Sequence, residues 1–241
     1  RTALALSDAP TNSVVITSVQ PGDGKSTVAA NLAVAFAQAG KRTLLIDGDM
    51  RRAGLSTFLG FKGQQGLSEI LRETAAIEES FVSRVRASLA ANLDLLPCGS
   101  RPANPAELLS SQRLTELLQW ATSRYEQVII DTPPASLASD TAIWGRSAHG
   151  VVFVLQPDKD KRRAVLRAVE YLAILKIPLL GLVVNRVKSQ SEKEYAGYAG
   201  EYYGEESNPS DETADTPEAQ TTDAVPSNEH HHRRIVPRKV A

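Results

Sequence analysis

The chain has 241 residues, of which 42% are hydrophobic, and its formal net charge at pH 7 is −1. This length and hydrophobic content suffice for one sizeable α/β core with a tail, and a charge near zero gives no reason to expect a nucleic-acid partner. The one cysteine excludes an intramolecular disulfide, and no apolar run approaches the roughly 18 residues needed to span a bilayer.

Apolar runs and amphipathic stretches alternate along the chain and predict strands and helices in turn. We predict strands near 14–19, 43–48, 93–96, 127–131, 150–155 and 179–184. Helices are expected near 25–39, 67–72, 105–122, 138–147, 160–175 and 189–198. Several of the strands are near-continuous Val, Ile and Leu runs, which is typical of strands covered on both faces. The pattern therefore predicts an α/β fold with a doubly wound, mostly parallel sheet.

A glycine-rich turn, Ser18 to Thr27, joins the first strand to the first helix. Glycine lets backbone N–H groups close around phosphate oxygens, and the helix N-terminus adds partial positive charge. The turn predicts a phosphate-binding loop (P-loop) with Lys25 on the β- and γ-phosphates and Ser26 on Mg²⁺. An ordinary strand-to-helix turn is the alternative, since Val19 stands where the full pattern has glycine. The predicted nucleotide-binding residues of this loop are Gly22, Asp23, Gly24, Lys25, Ser26 and Thr27.

Three aspartates lie at the carboxyl ends of later predicted strands. Asp47 and Asp49 end one apolar run, and a spacing of two in extended chain lets both side chains face one site. Asp131 ends another run, as a Walker B aspartate does. Ligands of open α/β sheets bind at the carboxyl ends of strands, so we expect all three carboxylates beside the P-loop. Any one of them alone would fit a helix cap or a turn equally well.

The loop that follows these first two carboxylates is basic. Arg51 and Arg52 stand directly after Met50. Their guanidinium groups would suit phosphate or a neighbouring subunit, and a solvated basic loop is an equal alternative.

The chain resembles the bacterial tyrosine kinases in three segments that occur in the same order, PGDGKST, LLIDGDMRR and VIIDTPP. The resemblance continues through LPCGSRPANPAELL and GLVVNRV and covers roughly residues 1–203. Members of this family are P-loop ATPases of the deviant Walker, partition-ATPase-like branch and control capsule and exopolysaccharide export. The resemblance implies an ATP-dependent autokinase that transfers the γ-phosphoryl group of ATP to tyrosines near its own C-terminus.

The resemblance also implies a role for each catalytic residue. Lys25 would bind the phosphates and stabilise the transferring phosphoryl group. Asp47 would orient or deprotonate the attacking tyrosine hydroxyl, whose pKa of about 10 calls for a nearby proton acceptor. Asp49 would complete the catalytic set by helping to position the metal.

ATP and Mg²⁺ are the cofactors that the resemblance implies. Mg²⁺ would be held by Ser26, Asp49 and Asp131, partly through water, because this ion keeps several of its waters. Asn185, at the end of the last predicted strand, would read the edge of the adenine.

Four of the six tyrosines fall within nine residues, at Tyr195, Tyr198, Tyr202 and Tyr203. The Gly and Glu residues between them argue against a packed core helix, although the first two could share one helix face. The resemblance implies that this cluster, 195–203, is the autophosphorylated acceptor. Each phosphate would add about −1.5 to −2 charge and repel the segment from a neighbour's active site.

The composition changes after Gly204. Residues 205–229 contain eight acidic residues and no Lys or Arg, and too little apolar surface to offset the entropy of ordering. We therefore predict a kinase domain over 1–204 and a disordered acidic tail with a basic end over 205–241. The tail includes His230 to His232, which we expect to be solvated rather than metal-binding.

The resemblance implies partners as well. Arg1 to Leu4 looks like the end of a helix that docks one subunit onto the next, so we expect a homo-oligomer, in ring form, that phosphorylates in trans. The chain starts without Met, and we expect a missing upstream part. A membrane-spanning polysaccharide co-polymerase, fused upstream or present as a separate activator, would hold the domain at the cytoplasmic face of the plasma membrane.

Two other functions stay open. A partition-type ATPase switch carries a signature lysine five positions before Lys25, where this chain has Gln20, and such switches lack a tyrosine cluster. A nucleotide-binding scaffold of an export complex would not need the full set of charged residues, although residues alone do not prove turnover.

Overall fold

The computed structural model describes residues 12–135 and 139–187, and within them one sheet forms the centre of the fold. Its strands are β1 Ser13–Ser18, β2 Thr43–Asp47, β3 Arg86–Ala90, β4 Leu93–Leu96, β5 Gln127–Asp131, β6 Gly150–Leu155 and β7 Leu179–Val184. Their order across the sheet is β3-β4-β2-β5-β1-β6-β7. Every neighbouring pair is parallel except β3 with β4. The predicted mostly parallel sheet is thus confirmed.

Helices connect and cover these strands in the described part of the chain. They are α1 Lys25–Gln38, α2 Gly54–Phe58, α3 Leu67–Arg72, α4 Ile77–Val82, α5 Pro105–Leu109, α6 Gln112–Arg124, α7 Asp140–Ser147 and α8 Arg162–Ile174. None of them combines the length and the hydropathy that crossing a membrane requires.

Four details differ from the sequence-based expectation. The helix expected over 105–122 is two helices, because Ser111 has an extended backbone (φ −71°, ψ 152°) and becomes the N-cap of the second one, while its hydroxyl donates to the Leu108 carbonyl. Strand β3 and the short helices α2 and α4 were not predicted. The helix expected over 189–198 lies outside the described residues.

Alternating residues of each central strand enter two separate cores. Val14 and Ile16 pack on the face covered by α1, whereas Val15 packs on the opposite face. On α1 the contact residues are Ala29, Ala33 and Ala37, spaced four apart on one side of the helix. Their small side chains bring α1 close to the sheet, which fixes the start of the helix at the end of β1.

The carboxyl ends of three central strands meet at one edge. Asp47 of β2 and Asp131 of β5 are direct neighbours across the sheet, and Asp131 also faces Ile16 of β1. The chain leaves β1 for β2 on one side, while β6 flanks β1 on the other, so this edge is a switch point in strand order. A crevice opens at such a point in α/β sheets, and it is where ligands bind.

Candidate nucleotide site

The turn between β1 and α1 has the backbone that a P-loop requires. Gly22 and Gly24 have φ angles of 87° and 96°, which favour glycine. A Cβ atom at Gly24 would lie 2.2 Å from Nδ2 of Asn185, so the position has no room for a side chain. The Asp23 carboxylate closes the turn by accepting the N–H of Gln20 at 2.7 Å.

A cavity of 470 Å³ opens above this turn. Its walls are the P-loop, the loop after β2 that carries Asp49, Arg51 and Arg52, the Pro133–Pro134 segment and Arg186. The first turn of α1 contains no acidic residue, and no side chain of the described residues caps its N-terminus. The uncapped N–H groups and the positive end of the helix dipole make this cavity complementary to an anion.

Four of the predicted site residues lie together at the base of the cavity. The Nζ atom of Lys25 lies 3.4 Å from Oδ2 of Asp49, 3.4 Å from Oδ1 of Asp131 and 3.2 Å from Oγ of Ser26. The three charged side chains are each at most 11% exposed. Taking such charges out of water is costly, so a buried ion pair is weak evidence for a stabilising role and invites a functional one.

One carboxylate oxygen of Asp131 has no hydrogen-bond donor among the described residues. The residue is fully buried, and its Oδ2 atom accepts no hydrogen bond from the described residues. Burial raises the pKa of Asp131 to about 7, against the opposing pull of the Lys25 ammonium. A buried acceptor without a donor is unfavourable, and a cation or a metal-bound water would satisfy it.

The donor set fits Mg²⁺ rather than a metal with a dedicated protein cage. No group of three or more His, Cys, Asp or Glu side chains in the described part of the chain is arranged to hold a metal ion. Mg²⁺ is usually held by one or two carboxylates together with phosphate oxygens and several waters. A hydroxyl and two carboxylates beside a phosphate loop, as Ser26, Asp49 and Asp131 are, match that requirement.

Asp47 does not face the cavity. It is fully buried, and its Oδ2 accepts the backbone N–H of Ser56 at 2.7 Å and the Ser56 hydroxyl at 2.6 Å. Its Oδ1 accepts the N–H of Asp49 at 3.3 Å. Burial raises the pKa of Asp47, and the hydrogen bonds from Ser56 oppose the rise. Asp49 instead lines the cavity, two residues beyond the end of β2. The catalytic role of Asp47 stays a prediction.

Asn185 follows β7 and touches the P-loop itself. Its Nδ2 donates to the Asp23 carbonyl at 2.8 Å, and its Oδ1 accepts the N–H of Arg186 at 3.0 Å. Its predicted contact with adenine stays a prediction, and the contact with the loop backbone was not foreseen.

Two charged contacts at this edge were missed by sequence reasoning. The guanidinium of Arg51 donates to both oxygens of Asp140, at 2.8 Å each, and Asp140 is fully buried at the start of α7. Lys159, in the turn after β6, reaches the P-loop and pairs with Asp23. The partners are 89 and 136 residues apart, and no spacing rule connects them.

Several predictions fall outside the described residues and stay predictions. They concern the tyrosine cluster (Tyr195, Tyr198, Tyr202 and Tyr203), the docking segment Arg1 to Leu4, the domain boundary after Gly204 and the histidines of the tail.

Residues 11–164 of the chain match the family model described as an AAA domain. The tyrosine-protein kinase YwqD of Bacillus subtilis is 42% identical over 201 residues, which are 83% of this chain and 81% of that protein. The tyrosine-protein kinase wzc of Salmonella typhimurium is 37% identical over 206 residues, and the chain spans 28% of its length.

Solved structures agree with this grouping. The kinase domain of the Escherichia coli tyrosine kinase ETK has a TM-score of 0.68 at 29% identity, covering 76% of this chain and 72% of that one. The septum site-determining protein MinD from Pyrococcus horikoshii has a TM-score of 0.60 at 24% identity, covering 76% of each chain, and this likeness shows the fold alone. The chain therefore belongs to the AAA-domain family of P-loop proteins and, among them, to the bacterial tyrosine-protein kinases.

Proposed function

We propose that the chain is an ATP-dependent tyrosine autokinase that transfers the γ-phosphoryl group of ATP to its own C-terminal tyrosines. The observation that carries this proposal is the cluster at the base of the cavity, where Lys25 lies within 3.4 Å of Ser26, Asp49 and Asp131. Phosphoryl transfer needs in-line positioning and neutralisation of phosphate charge more than covalent catalysis, and this cluster supplies both.

The phosphates are bound by the P-loop N–H groups and the Lys25 ammonium. Lys25 already lies in the cavity between two carboxylates, so a small rotation of its flexible side chain brings Nζ to a phosphate oxygen. Ser26, Asp49 and Asp131 would hold Mg²⁺, partly through water. The bound ion would neutralise charge on the phosphate oxygens.

The tyrosine hydroxyl must lose its proton during transfer. Asp47 is the proton acceptor that the resemblance implies, and Asp49 is the carboxylate that reaches the cavity. The proton acceptor must come within about 3 Å of the hydroxyl, directly or through one water. We keep Asp47 as the proposed acceptor and Asp49 as the proposed metal-positioning residue, and the two assignments are separable by mutation.

The wider setting is part of the same proposal. We propose that the kinase acts in trans within a homo-oligomer and regulates polysaccharide polymerisation and export, as a cytoplasmic domain beside a membrane-spanning activator. The support comes from relatives, since one protein with 31% identity is named as a tyrosine-protein kinase in the cps region of Klebsiella pneumoniae.

A partition-type ATPase switch is the second candidate, because a P-loop cavity in which Lys25 pairs with Asp49 and Asp131 would serve ATP hydrolysis as well as transfer to tyrosine. The observation against it is the place of Gln20, at the position of the signature lysine of such switches. Its side chain donates to Asp160 of the same chain at 3.0 Å. The Gln20 side chain is therefore hydrogen-bonded within its own chain.

The test is incubation of the purified chain with ATP and Mg²⁺, followed by mapping of phosphate by mass spectrometry. We expect phosphate on Tyr195 to Tyr203, none of it in Lys25→Met, and unchanged folding of that variant by circular dichroism. If the chain alone is silent, the assay is repeated with the membrane activator segment added. Phosphate release without phosphotyrosine in both forms would contradict the kinase proposal and favour the switch.

The acceptor assignment has its own test. Replacing the four clustered tyrosines by Phe should remove most phosphotyrosine and leave nucleotide binding unchanged. Tyr171→Phe is the matched control, because Tyr171 is 41% exposed on α8 and lies outside the cluster. Phosphotyrosine that survives the fourfold replacement would overturn the assignment.

A further inference from the structure

The outer side of the P-loop is held by the turn that follows β6. Lys159 and Asp160 form this turn, in which both backbone N–H groups donate to the Gln156 carbonyl, at 3.1 and 2.8 Å. The Asp160 carboxylate accepts the Gln156 N–H at 2.7 Å and the Gln20 side chain at 3.0 Å. The turn is therefore stabilised by hydrogen bonds within it and by a hydrogen bond to Gln20 of the P-loop.

Lys159 makes the central contacts. Its Nζ lies 2.5 Å from the Pro21 carbonyl oxygen and 2.5 Å from Oδ1 of Asp23. The Asp23 side chain is fully buried and the Lys159 side chain is 33% exposed. The other Asp23 oxygen accepts the Gln20 N–H. The buried Asp23 carboxylate is thus paired with one lysine through Oδ1 and bonded to the loop backbone through Oδ2.

Holding a carbonyl fixes the N–H group of the same peptide. A trans peptide is planar, and its C=O and N–H bonds point in opposite directions. No peptide bond in the described ranges is cis. With the Pro21 carbonyl turned outwards to Lys159, the N–H of Gly22 points to the other side, where Gly22 lines the cavity. Asn185 acts likewise on the Asp23 carbonyl and so on the N–H of Gly24.

We propose that Lys159 is a positioning residue of the nucleotide site, which holds the P-loop from behind so that its N–H groups point at the β-phosphate. The inference rests on the proposed nucleotide binding and deepens it. Lys159 does not contact the phosphates in this arrangement, since it lies on the carbonyl side of the loop. Preorganised N–H donors bind an anion better than donors that must first be turned, because less ordering is left for the binding step.

The test is calorimetric titration of Mg–ADP and of AMP into the full chain and its variants. Lys159→Met should weaken Mg–ADP binding about tenfold or more, which is about 1.4 kcal/mol. It should leave AMP binding within about twofold, since AMP lacks the β-phosphate that the loop cradles. Lys159→Arg keeps a charged donor and should bind Mg–ADP within about threefold of the parent.

Lys161→Met is the matched control. Lys161 lies two residues after Lys159 and is exposed, and its replacement by Met removes the same charge. Equal Mg–ADP affinity in Lys159→Met and Lys161→Met would overturn the inference, and so would equal losses for ADP and AMP. A parent chain that binds no Mg–ADP would overturn the proposed function as well, so the two failures are distinguishable.

Asp23→Asn covers the case in which Lys159→Met does not fold, and where both variants fold a double-mutant cycle tests whether they act through the same contact. Asp23→Asn keeps the shape of the side chain and removes its charge. If Lys159 acts through Asp23, Asp23→Asn alone should weaken Mg–ADP binding by a similar factor, and the combined variant should add little to either. Full additivity in the cycle, or an Asp23→Asn variant with the parent's affinity, would contradict the proposal.

Discussion

The two edges of the central sheet differ in the kind of polar group that they bury. At the amino edge, side chains form hydrogen-bonded pairs, and the two buried oxygens there that have no donor among the described residues, Oδ1 of Asn12 and Oε1 of Gln127, are neutral amide oxygens. Oγ of Ser13 lies 2.6 Å from Nδ1 of His149, and the Tyr125 hydroxyl donates to Asp94 at 2.7 Å. At the carboxyl edge, two buried carboxylates, Asp49 and Asp131, share the Lys25 ammonium group, and Oδ2 of Asp131 has no donor among the described residues.

The difference indicates which edge was shaped for stability and which for chemistry. Hydrogen-bonded pairs at the amino edge cost nothing to bury once both partners are matched. Buried carboxylates with an unmet acceptor lower stability, and such sites persist where a ligand completes them. Replacing one residue at each edge should therefore change different properties of the protein.

The largest effect is expected for Asp131→Asn at the carboxyl edge. The amide keeps the shape of the side chain and removes the charge that would help to hold Mg²⁺, so autophosphorylation should fall by about 100-fold or more. Lys25→Met should do the same, while Lys161→Met should not. The effect is measured as the rate of phosphotyrosine formation. An Asp131→Asn variant that keeps more than about a tenth of the parent's rate would contradict the proposed metal-binding role.

The same variant tests the cost of the buried charge. The pKa of Asp131 is raised to about 7 from 3.8, so between these values the folded chain holds a proton that the unfolded chain has lost. The parent's stability should therefore fall as the pH rises from about 4 to 7, and the Asn variant lacks this term. Without nucleotide and Mg²⁺, the difference in Tm, variant minus parent, should grow between pH 5 and 8. A difference in Tm that stays constant with pH would show that burial does not raise the pKa of Asp131.

Asp47→Asn and Ser56→Ala separate catalysis from packing at the same edge. If Asp47 accepts the tyrosine proton, Asp47→Asn should reduce the transfer rate about 100-fold, with a smaller change in ATP binding. Ser56→Ala removes a single hydroxyl from the Asp47 carboxylate and should lower stability by about 1–2 kcal/mol, with transfer within a few-fold of the parent. Equal losses of activity in the two variants would assign Asp47 a structural role.

Sequence reasoning located the site because parallel strands impose it. Once Lys25, Asp49 and Asp131 are assigned to strand ends and to the loop between strand and helix, a parallel sheet brings them to one edge. The mostly parallel fold followed from the alternation of apolar runs with helical stretches. Neither inference needed the path of any loop.

What sequence reasoning missed depends on loops and long-range pairs. Asp47 faces Ser56 because α2 lies against the end of β2, and this helix of five residues has too few turns to show a period. The partners of Arg51 and Lys159 are brought together only by the finished fold. Strand β3 pairs antiparallel at the margin of the sheet with an irregular register, and its sequence, Arg86–Ala90, lacks the Val, Ile and Leu run by which the other strands were predicted.

At the amino edge, Tyr125→Phe should affect stability alone. The variant removes the donor to Asp94 and leaves the ring beside Phe81, whose centroid is 6.3 Å away. We expect a loss of about 1–2 kcal/mol in the free energy of unfolding, since the acceptor is a carboxylate in a half-buried site. Denaturant titration measures the loss, and kcat should match that of the parent. A change in kcat would contradict the separation of the two edges, since it would show that a contact at the amino edge affects the chemistry at the carboxyl edge.

The smallest effect concerns Cys98, which tests whether the floor of the carboxyl edge excludes solvent. The thiol is 1% exposed, its backbone N–H donates to Ser56, and its Sγ lies 3.6 Å from the Asp49 carbonyl. Burial raises its pKa, and the carboxylates of Asp47 and Asp49 raise it further, so the reactive thiolate is scarce. A thiol reagent at pH 8 should therefore label the native chain only as fast as it unfolds, and label the guanidinium-denatured chain at once. Rapid labelling of the native chain, absent in Cys98→Ser, would mean that water reaches the floor of the cavity, and the raised pKa values of Asp47 and Asp131 would then lose their cause.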